Sequence, residues 1–183
     1  MSEYMFVSNC SPTLAGIKTG SLFSCRVTGR SELYSTIRRW NRVLKKKGIM
    51  IIPLRFSESS ALIYMFRPDK LRRDLKKTEA EAILKSCGYE SAEMNNCLTE
   101  LISRIRGNDK FPHEIGLFLG YPAVDVKGFI ENKAANYEIS GLWKVYGDRD
   151  EAERTFARYR KCTDIYCREW MDGKSMEMLA VAE

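Results

Sequence analysis

Two β-branched and aromatic runs, Ile49 to Phe56 and Ala61 to Arg67, are separated only by Ser57-Glu58-Ser59-Ser60. Side chains of this kind suit a pleated, half-buried surface, and so short a polar link joins neighbours, so the pair predicts an antiparallel hairpin. Pro53 has no N–H to give to a ladder, which puts the first run at a sheet edge or a bulge. Upstream, Ser31 to Lys47 carries Leu33, Ile37, Trp40 and Leu44 at i, i+4, i+7 and i+11. That is one face of a helix, with Gly48 placed as its C′ residue. Ser21 to Val27 alternates imperfectly and reads as a strand before this helix.

Downstream the pattern turns helical. Pro68 to Lys77 begins with Pro at the first helical position, and Thr78-Glu79-Ala80-Glu81 fits a capping box opening a helix that ends at Gly88. Ser91 to Arg106 places Met94, Leu98, Leu101 and Ile105 on one face, and a Pro-initiated helix over Pro122 to Asn132 is anchored by Val126, Phe129 and Ile130. Gly141 to Gly147 reads as a short aromatic-rich strand, and Asp148 caps a long helix of residues 150–171. The fold class that follows is α+β: a three- or four-stranded antiparallel or mixed sheet with helices mainly on one face. Its core is ferredoxin-like, β-α-β-β-α-β, with a helical insertion before the last strand. One globular domain over residues 1–183 is the expectation.

Hydrophobic residues at 44% and charged residues at 30% suit a chain with one sizeable core. No segment approaches the roughly 18 uninterrupted apolar residues of a membrane span, and Met1-Ser2-Glu3-Tyr4 starts no signal peptide, so a cytoplasmic protein without a membrane role is expected. In a reducing compartment the six cysteines are free thiols, and none forms a CxxC pair. Residues 1–90 hold 17 Lys/Arg against 8 Asp/Glu, and residues 91–183 hold 13 against 16. Such an excess marks either a phosphate-rich partner or solvated helix faces. Nucleic-acid binding would rest on Arg38 to Lys47 and Arg67 to Lys77, with no RRM, KH, zinc-finger, Walker A or GxGxxG motif beside them.

Two Gly- and Pro-bearing segments hold the candidate chemistry. In Asn9 to Lys18, Ser11 and Pro12 read as the N-cap and first residue of a short helix, so Cys10 would stand just ahead of a helix N-terminus. The dipole there favours a thiolate, as nucleophile or as metal or haem ligand, and Lys18 would add positive charge. The plainer alternative is a small buried hydrophobe. In Phe111 to Pro122 stands His113, the one histidine of the chain, with Glu114 placed to polarise it. Tyr121, Asp125 and Lys127 are candidates for the same ligand-binding cleft, and Cys162 joins Cys10 and His113 as a candidate metal ligand. Cys162 and Cys167 point about 140° apart on one helix and cannot share a metal from it.

The chain resembles the domain of unknown function 3793 family. The resemblance runs through Cys10 to Lys18, Phe111 to Pro122, Asp125 to Asn132 and Trp143-Lys144-Val145-Tyr146-Gly147, and extends to Arg158 to Thr163. It implies a cytoplasmic protein of anaerobic bacteria and brings no assigned activity. The family pattern often has cysteines just before the Trp-Lys-Val-Tyr segment, where this chain has Asn136 to Leu142, and that departure counts against a cysteine-rich metal cluster here.

Two functional expectations result. The first is a thiol and imidazole site, Cys10 with His113, for thiol chemistry or for holding a metal, haem-like group or other small molecule. The second is a non-enzymatic module that binds a protein partner or a polyanion.

Overall fold

The computed structural model describes residues 2–107 and 111–182. The chain divides into two compact units, Met1–Asp69 with Arg160–Glu183, and Lys70–Tyr159.

The first unit opens with helix α1, Glu3–Leu14. Its driving pattern is Phe6, Val7, Cys10 and Leu14, all fully buried, one apolar stripe at helical spacing. The stripe carries the helix through Ser11 and Pro12, so the expected break ahead of Pro12 does not occur and Cys10 lies inside a helix. Pro12 is tolerated near the last turn, and the Ser11 hydroxyl donates to Val7 O at 2.5 Å.

Strand β1 (Gly20–Arg26), helix α2 (Arg30–Leu44), a 3-10 turn (Lys45–Lys47), β2 (Met50–Phe56) and β3 (Ser60–Phe66) follow. Their sheet has the order β1-β3-β2, antiparallel at both seams, with Phe23 opposite Ile63 and Ile51 opposite Met65. The expected hairpin is therefore present. Pro53 lies on the edge strand β2, at a register shift between Pro53 and Arg55. Alternation sends Phe23, Cys25, Ile51, Ala61, Ile63 and Met65 to one face, in one core cluster with α1, α2 and the C-terminal Met176 and Leu179. Asn41 ties α2 to the sheet edge: its amide donates to Ile51 O and accepts from Ile51 N, both at 2.8 Å. That pairing occupies an edge backbone that would otherwise be open.

The second unit is largely helical: α3 (Pro68–Leu75, whose first two residues belong to the first unit), α4 (Thr78–Ser86), α5 (Met94–Gly107), α6 (Ile115–Phe118) and α7 (Ala123–Glu131). The capping box does not form, because α4 begins at Thr78 itself, with Lys77 as its cap residue and no side-chain cap bond. The expected strand over Gly141 to Gly147 is reduced to β5 (Lys144–Val145), paired with β4 (Ile139–Ser140) in a separate two-stranded ribbon. The protein is thus α+β with the 1-3-2 strand order of a ferredoxin-like core and three strands in that sheet. The last strand of that pattern leaves the sheet because its residues dock on α7 instead. A side chain at Gly128 would meet Tyr146, and one at Gly141 would meet Phe156, so glycine at both positions permits the close approach. Helix α8 (Arg149–Met171) opens in this unit with the expected cap, Asp148 Oδ1 accepting from Glu151 N at 2.9 Å; from Arg160 on it belongs to the first unit, as does α9 (Met176–Leu179). Among the described residues no helix is long and apolar enough to cross a membrane.

Candidate functional site

In the second unit a cleft of about 320 Å³ opens around His113. The turn that precedes α6 presents the imidazole at the cleft mouth, exposed and edge-on to the Phe129 ring at 5.0 Å between centroids. Phe111 and Tyr121 line it from the same segment, Phe129 from α7, and Leu142, Trp143 and Lys144 from the ribbon. Tyr121 stacks on Trp143 at 4.6 Å and 25°, and Trp143 meets Phe156 edge-on at 4.5 Å. Burial pushes the Tyr121 phenol up to about 12, so it stays a neutral hydroxyl at ordinary pH.

Asp125 holds this wall together. Its carboxylate is buried and accepts from Trp143 Nε1, Tyr146 N and Gly147 N, each at 2.8 Å. A carboxylate with three donors suits a positioning role better than proton transfer. Lys144 Nζ donates to Ala134 O at 2.7 Å and lies over the Tyr137 ring at 4.5 Å. The Ala134 carbonyl belongs to a loop where Lys133, Ala134 and Asn136 all take positive φ, of 50°, 65° and 56°. Non-glycine residues take that region at a cost, so the loop holds a sparsely populated backbone beside the ribbon.

Of the residues expected from sequence, His113, Tyr121 and Asp125 share this cleft. Glu114 is directed elsewhere: it is buried, accepts from the Tyr89 hydroxyl at 3.2 Å and pairs with Arg104 at 3.4 Å. Neighbours on a helical turn point about 100° apart, which separates it from the imidazole. Lys127, two residues beyond Asp125 on α7, faces the opposite way for the same reason. It borders a second hollow between α4 and α7 and pairs with Glu131 at 3.8 Å.

Cys10 and Lys18 belong to the first unit. Cys10 is fully buried, and burial pushes its thiol up to about 12 against the opposing influence of Lys18 and the Ser21 hydroxyl. The expected thiolate-favouring helix N-terminus is absent because α1 begins seven residues earlier, at Glu3. Burial also lowers Lys18 to about 8, with Cys10 acting the other way. Cys162 lies on α8 with its thiol pushed up to about 11 by burial. Among the described residues no group of three or more His, Cys, Asp or Glu side chains could hold a metal ion, and all six cysteines are free.

The Lys18 and Cys10 shifts have a measurable consequence. From about pH 8 to 9.0 the unfolded chain keeps the lysine proton that the folded chain has released, so stability rises, by about 1 kcal/mol. Above 10.5 both states hold a neutral lysine, while the unfolded chain has lost a thiol proton that the folded chain retains up to about 12, so stability falls. Burial also raises Cys25, Cys87, Cys97 and Cys162 from 9.0, so the fall begins there. Urea midpoints should rise from about pH 8, peak near 9.0 and then fall, and Lys18→Met should remove the rising limb. A flat profile in the parent protein would refute the assignment.

The cleft lining that lies outside the expected site segment includes Phe129, Leu142, Trp143 and Lys144. The available signal was the tryptophan between Gly141 and Gly147, since glycines flanking an aromatic run allow tight docking as readily as they end a strand. Comparison of the chain with curated proteins and with solved structures returns no match. The family profile described as protein of unknown function (DUF3793) matches residues 6–180, nearly the whole chain, and the protein belongs to that family.

Proposed function

We propose that the protein is a ligand-binding module whose second unit takes a small planar aromatic molecule in the His113 cleft, without covalent chemistry. The observation that carries this reading is convergence: five rings, of Phe111, His113, Tyr121, Phe129 and Trp143, line one cleft of about 320 Å³. That volume lies at the lower end of small-molecule sites, and aromatic linings with a few placed polar groups are typical of them. The Asp125 carboxylate is committed to three internal donors and Lys144 Nζ to Ala134 O, while the His113 imidazole is exposed in the lining. Stacking on such rings contributes about 1 kcal/mol per ring beyond area burial. A thiol step receives less support, since the Cys10 thiol is fully buried and raised to about 12.

Anilinonaphthalene sulfonate, with its planar naphthalene ring, is a suitable aromatic anionic probe. The native protein should bind it at one site with enhanced dye fluorescence. His113→Ala and Phe129→Ala should each weaken binding by roughly fivefold to tenfold, as losing one ring contact implies. Unchanged affinity in both variants would overturn the cleft assignment. Alkylation of Cys10 at neutral pH faster than a model thiol would instead favour thiol chemistry.

A further inference from the structure

The net charge of +6 belongs wholly to the first unit, which holds 15 Lys/Arg against 9 Asp/Glu while the second holds 15 against 15. Within the first unit the excess gathers on the outer side of α2. Arg38, Arg42, Lys45 and Lys46 are exposed, and among the described residues none has a carboxylate partner. On α8, by contrast, exposed cations such as Arg149 and Arg154 are paired, with Glu153 and Glu151. The helix dipole accounts for lysines in the last turn, but Arg38 stands mid-helix, where the dipole has faded.

Helical rotation puts Tyr34, Arg38 and Arg42 within one arc of about 80° on α2, and Lys45 and Lys46 follow in the 3-10 turn at its end. Tyr34 is 38% exposed and leans on Phe56 at 5.4 Å, and the Arg30 guanidinium lies over the same Phe56 ring at 5.2 Å. An aromatic platform thus sits at one end of a cationic strip that runs roughly 18 Å along α2 and into the 3-10 turn, from residue 34 to residue 46. The opposite face of α2, Leu33, Ile37 and Leu44, is buried in the sheet core and has nothing to insert into a lipid surface.

We infer that the outer face of α2 binds single-stranded nucleic acid. The cations track consecutive phosphates, and a base stacks on Tyr34. Sequence preference is weak, because contacts to phosphate and to a ring face carry little base information. The inference is independent of the cleft, since it concerns the first unit alone.

Fluorescence anisotropy of a labelled oligothymidylate, with the full-length protein over a range of salt, tests this. With about four phosphates engaged, log K should fall against log salt with a slope of roughly −3. Arg38→Gln/Arg42→Gln should weaken binding at low salt and bring the slope to roughly −1.4. Tyr34→Ala should weaken binding about tenfold and leave the slope unchanged. All three positions are exposed, and circular dichroism of each variant checks that the helix is retained. A control variant, Lys85→Gln/Arg158→Gln in the second unit, should bind as the parent does. Three results would each overturn the inference: no binding at low salt, equal loss in the control variant, or binding only to phosphatidylserine vesicles or polyglutamate.

Discussion

Replacing Arg67 by methionine should cost about 4 kcal/mol of stability, a large share of what a domain of this size possesses. Arg67 is 1% exposed and directly follows the hairpin's second strand. Its Nε donates to Thr13 O at 2.7 Å, Nη2 to Leu14 O and Val181 O at 2.8 Å, and Nη1 to Lys47 O at 3.3 Å. These carbonyls lie at or just past the C-terminal ends of α1, the 3-10 turn and α9, where helix carbonyls lack partners and carry partial negative charge. One guanidinium therefore closes three chain ends. Methionine fills much of the volume but leaves those carbonyls buried without these donors, and each such loss costs about 1 kcal/mol or more. Lysine keeps the charge yet offers its donors from one point rather than a fork, so Arg67→Lys should recover less than half of the loss. In urea, with a slope of about 2 kcal/mol per molar, Arg67→Met should lower the midpoint by about 2 M. A midpoint within a few tenths of a molar of the parent would show that the network is dispensable.

The second large effect concerns Asp125. Asp125→Ala strips the acceptor from the Trp143 indole and from the Tyr146 and Gly147 amides together, and should destabilise by about 3 kcal/mol. Asp125→Asn makes a finer test. An amide oxygen can still accept from the two backbone N–H groups, but its NH₂ would then face the indole N–H, donor against donor. Asn should therefore hold the ribbon in place and release Trp143, with stability reduced by about 1 kcal/mol and dye affinity reduced about as much as by Ala. Thermal melts and dye titrations separate the two. Asn and Ala variants equal to the parent in both would remove Asp125 from the scaffold.

These two residues show why part of the molecule was legible in the sequence and part was not. The strand, helix, hairpin order of the first unit was legible because its signals are local: β-branched and aromatic runs in Ile49 to Phe56 and Ala61 to Arg67, helical spacing of Leu33, Ile37 and Leu44, and a polar turn between the strands. Helix α1 was misread at its start because Ser11-Pro12 is a strong local helix opener, and burial of Phe6, Val7, Cys10 and Leu14 outweighed it. Arg67 looked like the first member of the basic run to Lys77. Its partners lie 20 to 114 residues away in the chain, so no window around it could show that it is buried. Asp125 read from sequence as a ligand contact in the cleft, and it does line it, but its three partners, 18 to 22 residues on, could not be seen locally and make it the support of the wall. Of the cleft, the lone histidine and its glycines marked the place, while the stacking of Tyr121 on Trp143 depended on the ribbon leaving the sheet.

The single histidine makes the central claim open to a direct test. The His113 imidazole C–H gives one set of resonances, and the Trp143 indole N–H, bonded to Asp125, gives another that Trp143→Phe identifies. During titration with anilinonaphthalene sulfonate, both signals should shift together along one saturating curve. The Trp40 and Trp170 signals, from the first unit, should stay in place. Saturable dye binding that leaves the His113 and Trp143 resonances unmoved would contradict a ligand site in this cleft.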